Sequence, residues 1–88
     1  AIRVNAVCPG LIETRWHTAR FPTPEAYDKF KAGYVQTVPL AKAASADDVA
    51  EVAVWLVEGA ALVTGEIILV DGGLHLGKFS VKPAEKKP

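Results

Sequence analysis

The residues best placed to do chemistry are crowded into VCPGLIETRWH, residues 7–17. An apolar run meets Pro9-Gly10, and four residues past Gly10 comes a hydroxyl, Thr14, followed by Arg15 and Trp16. Proline cannot donate to a sheet ladder, and glycine lets the backbone come close to another group. A hydroxyl just past such a turn suits two tasks: capping a short turn of helix, or hydrogen bonding a bound ligand. Taken alone, the residues favour the cap. Cys8, Glu13 and His17 place a thiol, a carboxylate and an imidazole nearby. One cysteine and two widely separated histidines match no recognised ligand spacing, so no metal is expected. No base sits beside Cys8 to make it a nucleophile, and it reads as a small buried thiol at a strand end.

The rest of the chain must position these groups, and its composition limits how. It has 88 residues, room for one small domain at most. Half of them are hydrophobic, 23% are charged and the formal net charge is zero. That balance is globular, and it gives no electrostatic case for nucleic acid or an anionic membrane. A single cysteine makes no internal disulfide, no apolar run reaches membrane-spanning length, and AIRVNAV is not a signal peptide. A cytoplasmic protein is expected. The chain opens directly inside a strand-like run and contains no methionine, so it reads as a piece of a longer chain.

Ile2 to Cys8 alternates loosely, with Ile2, Val4 and Ala6 on one face and Arg3, Asn5 and Val7 on the other, which predicts a strand ended by Pro9-Gly10. Residues 11–22 carry no sustained period. Thr23 and Pro24 suit an N-cap and a first helical turn, and Ala26, Tyr27, Phe30 and Tyr34 recur at helical spacing, predicting a helix over about 24–36. Ser45-Ala46-Asp47-Asp48 is a capping-box-like start, with aspartate where glutamate is usual, and Gly59 is a natural end. Between them Val49, Val52, Ala53 and Leu56 form one apolar stripe, and Val54, Trp55 and Val57 add bulk off it, as in a helix buried on more than one side. Ile67 to Val70 is an unbroken, mostly β-branched run, the mark of a strand covered on both faces, and Asp71-Gly72-Gly73 stops it. The order strand, helix, helix, strand favours parallel pairing. A hairpin at Asp71-Gly72 returning through Leu74 to Val81 ranks second. Residues 78–88 read as a Lys-rich mobile tail, leaving 1–77 as the folded segment.

At this point the chain resembles a known family. IRVNAVCPGLIET, PLAKAASADDVAEVAVWL and TGEIILVDGG resemble, in order and at compatible spacing, the loop after the sixth strand, the following helix and the last strand of short-chain dehydrogenase/reductases. The pattern PGLIET most resembles the oxoacyl-carrier-protein reductase branch. The fold implied is α/β: the C-terminal strand-helix-helix-strand portion of a Rossmann-type, doubly wound parallel sheet, an incomplete part of a single domain. Such sheets bind ligands beyond the carboxyl ends of their strands. The resemblance implies NAD or NADP as cofactor, with Pro9 and Gly10 shaping a loop against the nicotinamide, the Ile12 main chain bonding its carboxamide, and the Thr14 hydroxyl reaching the carboxamide or a phosphate. It reverses the preference for a simple cap at Thr14.

The resemblance also shows what to look for in vain. The family's glycine-rich phosphate loop is not found, and no catalytic residue is assigned. Tyr27 and Lys31 have the spacing of the family's catalytic pair, but they follow the Pro-Gly loop instead of preceding it. They read as a half-buried ring beside a solvated charge. Trp16, Phe21, Tyr27 and Phe30 either line an apolar substrate wall or pack in the core. Trp55 marks either a homo-oligomer interface, dimer or tetramer, or a surface covered by the rest of the chain. Two functions follow. One is the C-terminal part of an NAD(P)-dependent oxidoreductase acting on a carbonyl or alcohol substrate. The other is a truncated, non-catalytic product that only binds. Substrate identity and the choice of NAD or NADP are not legible in these residues. Ordering costs about 1.5 kcal/mol per residue and two strands give little ladder, so the segment alone is expected to be aggregation-prone or partly molten unless it self-associates.

Overall fold

The computed structural model describes residues 1–77; the expected tail at 78–88 lies outside the described residues. Two strands, β1 (Ala6–Pro9) and β2 (Ile67–Val70), pair in parallel with Ala6 opposite Ile67 and Pro9 opposite Val70. Between them run a single helical turn, α1 (Arg15–Thr18), and two longer helices, α2 (Pro24–Gln36) and α3 (Ala46–Glu58). A 3-10 turn over Leu74–Leu76 follows β2.

The two longer helices begin where their caps dictate. The Thr23 side chain accepts from the Ala26 N–H, and Pro24 opens the first turn of α2. Ser45 and Asp48 form a full capping box, at 3.0 and 2.8 Å, so the shorter aspartate does the work of the usual glutamate. At the far end of α3 the Gly59 N–H returns to the Trp55 carbonyl. The Arg3 guanidinium completes that terminus. It donates to the carbonyls of Leu56 (2.9 Å), Ala60 (3.1 Å) and Val63 (3.2 Å), setting a cation where the helix dipole is negative.

The structure refines the reading of several elements. The first strand starts at Ala6, not Ile2, because the Val4 N–H bonds the Thr64 hydroxyl and Asn5 spends its side chain on Val63 and Glu66, which replaces ladder pairing with side-chain bonds. Residues 15–18, in the stretch that carries no sustained period, form α1, a turn too short to display one. The hairpin return through Leu74 is replaced, over its described part, by the 3-10 turn. That turn is built by Asp71. Its carboxylate accepts from the Gly73 N–H (3.0 Å) and the His75 N–H (3.1 Å) and lies 2.9 Å from His75 Nδ1.

Helix α3 packs on the Val7 side of β1, and Leu56 is buried there. The opposite face of the strand pair is open among the described residues. Cys8, expected to be buried, is therefore exposed, as are Ile67 (67%) and Leu69 (44%) on the adjoining strand. The second apolar side of α3 is likewise open, with Trp55 52% exposed. A small core of Leu11, Tyr27, Val38, Ala43 and Leu56 sits mainly beyond the carboxyl ends of the strands, with Val38 fully enclosed.

Two glycines give opposite predictions. A Cβ on Gly33, in α2, would meet nothing, and alanine there should stabilise the complete protein by about 0.5–1 kcal/mol. Gly72 has φ +64° and a Cβ there would lie 2.7 Å from Val38 Cγ1, so alanine should cost about 2 kcal/mol or more. Denaturant titration of both variants reads the signs. Acid sensitivity is the second test. Burial pushes the Asp71 carboxyl up, but the hydrogen bonds from Gly73 and His75 outweigh it and hold the group below its ordinary value of 3.8. A depressed folded value means that this contribution is complete above the unfolded value and is lost as pH falls through the folded one. Asp71→Asn should flatten that part of the acid limb of a stability-against-pH curve.

Candidate functional site

Parallel pairing brings two turns together at the carboxyl ends of the strands, Pro9-Gly10 after β1 and Asp71-Gly72 after β2. The Gly10 N–H still bonds the Val70 carbonyl (3.2 Å). A Cβ at Gly10 would fall 2.6 Å from the Tyr34 hydroxyl and 3.1 Å from Asp71 Cβ. The glycine is thus required by close approach within the fold, which the sequence reading assigned to a ligand alone.

The loop beyond Gly10 is extended and pinned along one edge. The Leu11 carbonyl accepts from the Ala44 N–H and the Glu13 N–H bonds the Ala44 carbonyl, both at 2.9 Å, making Ile12 and Ala44 an isolated parallel bridge. In such a bridge the flanking residues carry the bonds, and the central residue turns its own N–H and C=O the other way. Neither main-chain group of Ile12 is bonded among the described residues. Thr14 stands at the N-cap of α1, as the residue reading anticipated, yet its side chain makes no cap hydrogen bond. The odd residues, Leu11 and Glu13, hold the loop. The even ones, Ile12 and Thr14, keep polar groups available to something outside it.

Side chains of α2 complete the support. The Tyr34 hydroxyl accepts from the Leu11 N–H (2.9 Å). Lys31 Nζ lies 2.8 Å from Glu13 Oε1. The Tyr27 hydroxyl is 3.5 Å from Glu13 Oε2, at the long limit of a hydrogen bond. Tyr27 is buried, not half-buried, and Lys31 is paired with Glu13, so the picture of a ring beside a solvated charge is corrected. Burial and the Glu13 carboxylate push the Tyr27 phenol up.

The four aromatic candidates separate. Phe21 and Tyr27 line one open concavity of about 430 Å³, and Phe30 lies tilted against Phe21 with ring centroids 5.2 Å apart. Trp16 stands apart on α1, 62% exposed, with the Arg20 guanidinium 4.4 Å over its ring. A tighter cavity of about 240 Å³ lies behind the loop, between Leu11, Tyr34, Leu40, Lys42, Val70 and Asp71. Pro9, Gly10, Ile12 and Thr14 do not line it. Glu13, Tyr34 and Asp71 hold the loop and the turn after β2, and the sequence reading missed them. Asp71-Gly72-Gly73 carried a usable signal, since aspartate in a turn accepts a bond from the N–H two residues on. No cluster of metal-binding side chains occurs among the described residues, and no described helix is long and apolar enough to cross a membrane.

Comparison with known proteins places this arrangement. The family model described as enoyl-(acyl carrier protein) reductase matches residues 1–75. The chain is 47% identical over 77 residues to a protein named for a ketoacyl reductase of the granaticin polyketide synthase, from Streptomyces violaceoruber, covering 86% of this chain. It is 38% identical over 74 residues to a 3-oxoacyl-[acyl-carrier-protein] reductase of Chlamydia pneumoniae, covering 83% of this chain. It spans only 28% and 27% of those two proteins. Among solved structures, a small-chain dehydrogenase in complex with NADPH superposes with a TM-score of 0.72 at 32% identity, over 86% of this chain and 33% of the other. The elements thus form part of a Rossmann-type α/β fold, and the chain belongs to the short-chain dehydrogenase/reductase family, in its oxoacyl-carrier-protein reductase-like branch.

Proposed function

We propose that the complete protein is an NAD(P)-dependent oxidoreductase acting on a carbonyl or alcohol, and that this segment supplies the nicotinamide-side wall of its cofactor site. The observation that carries the reading is the alternation along the loop: Leu11 and Glu13 are tied inward, while Ile12 and Thr14 present unbonded polar groups beyond the carboxyl ends of parallel strands. That pattern fits a carboxamide, which offers both a carbonyl acceptor and an amide donor. The nicotinamide, when bound, supplies or accepts the hydride. Pro9 and Gly10 turn the chain so that the loop meets the ring, the Ile12 main chain bonds the carboxamide, and the Thr14 hydroxyl fixes the carboxamide or a neighbouring phosphate. The NADPH complex of a structural neighbour supports a nicotinamide dinucleotide as ligand.

Phe21, Tyr27 and Phe30, with Trp16 beyond them, form the apolar side against which the substrate is held. The names of the relatives, ketoacyl and oxoacyl reductases among them, support a carbonyl substrate. The open face of α3 around Trp55 is the homo-oligomer contact, and the cytoplasm is the compartment that suits an exposed, unpaired Cys8.

Thr14→Ala in the complete protein removes one neutral hydrogen bond and should raise the dissociation constant for NAD(P)H by about 10-fold or less, with Thr14→Ser retaining most of the affinity. Fluorescence titration of the reduced cofactor reads it. Unchanged affinity in Thr14→Ala removes Thr14 from the site.

A further inference from the structure

One face of α2 meets the cofactor loop at successive points. Tyr27, Lys31 and Tyr34 are spaced four and three residues apart, so they form a single stripe along the helix. Each reaches the inward-facing residues of the loop: Tyr27 and Lys31 reach Glu13, and Tyr34 receives the Leu11 N–H. The Ala44 backbone holds the same two residues by their main-chain groups. Leu11 and Glu13 therefore sit between a backbone clamp and a helix stripe, and the extended backbone carries Ile12 and Thr14 to the opposite side. The same helix carries Phe30, which with Phe21 belongs to the aromatic group beside the loop.

Given the cofactor reading above, on which this rests, we infer that the Tyr27, Lys31 and Tyr34 stripe is a positioning device: α2 sets the height and tilt of the nicotinamide wall through Leu11 and Glu13. Lys31 and Tyr34 are positioning residues, not catalytic ones, because they touch the loop and not the reacting atoms. The two bonds differ in kind. The Tyr34 hydroxyl supplies the acceptor for an otherwise unpaired Leu11 N–H, so it fixes where the loop begins. The ion pair between Lys31 and Glu13 lies at the surface, each side chain about two-fifths exposed, so it is adjustable and weakened by salt. Any movement of α2 when substrate docks near Phe30 is passed to Ile12 and Thr14, which makes the wall responsive to the substrate side.

The test uses the complete protein, with hydrogen exchange and cofactor affinity read separately. Tyr34→Phe should speed exchange at the Leu11 amide by about 2–10-fold without cofactor present, as expected for loss of one hydrogen bond. Lys31→Gln and Glu13→Gln should each weaken NADPH binding about 2–5-fold at low salt and converge on the wild type at 1 M salt, and the charge swap Glu13→Lys with Lys31→Glu should recover most of the loss. An unchanged Leu11 amide in Tyr34→Phe, or a Lys31→Gln variant that binds NADPH as the wild type does, overturns the positioning role. Should Tyr34→Phe fail to fold, Lys31→Gln and the swap decide alone. If the wild type itself does not bind NADPH or NADH, the cofactor reading fails, and the exchange result still tells whether α2 supports the loop.

Discussion

The parallel register of β1 and β2 is the constraint on which everything else depends. Pairing Ala6 with Ile67 and Pro9 with Val70 makes both strands end at the same level, so the two glycine turns face each other. Gly10 must then pass within reach of the Tyr34 hydroxyl and the Asp71 side chain, and Gly72 must pass Val38. A slip of one residue would turn every strand side chain to the other face and separate these turns. The register is guarded from the other end by Arg3 and Asn5. Their side chains tie the lead-in of β1 to carbonyls in and just after the last turn of α3 and to the Glu66 N–H. Helix α3 is thereby fastened to the strand it covers by an arginine, as well as by the packing of Leu56.

The proposed function rests on what that register leaves unsatisfied. The Leu11 N–H and C=O and the Glu13 N–H are bonded to Tyr34 and Ala44, while the main-chain groups of Ile12 are unbonded among the described residues. Unpaired main-chain groups are tolerated where water or a ligand reaches them. The loop is therefore both rigid and incomplete: held on one side by α2 and Ala44, with donors and acceptors on the other. Rigidity matters for a redox cofactor, because misplacing a reacting ring by even 1 Å costs rate steeply.

Much of this was legible in the residues. Thr23-Pro24 and Ser45 through Asp48 announced both long helices by cap chemistry, and the Ile67 to Val70 run announced its strand. Pro9-Gly10 announced the turn that ends β1, and Thr14 the N-cap position of α1. What stayed hidden has a common physical reason. The support residues act across long separations: Tyr34 reaches Leu11 23 positions away, and Arg3 reaches Leu56 53 positions away. Local pattern carries no record of such contacts. Cys8 and the second face of β2 were misjudged for a related reason. Apolar composition says that a surface is to be covered, and the covering partner is not among the described residues.

The most direct test of the account is whether the Ile12 main chain meets the nicotinamide. The complete protein, labelled with nitrogen-15, is titrated first with ADP-ribose, which lacks the ring, and then with NADPH. The account predicts that the Ile12 amide resonance stays in place with ADP-ribose and moves on saturation with NADPH. An Ile12 resonance that ignores NADPH while the cofactor binds, or that responds equally to ADP-ribose, would contradict it.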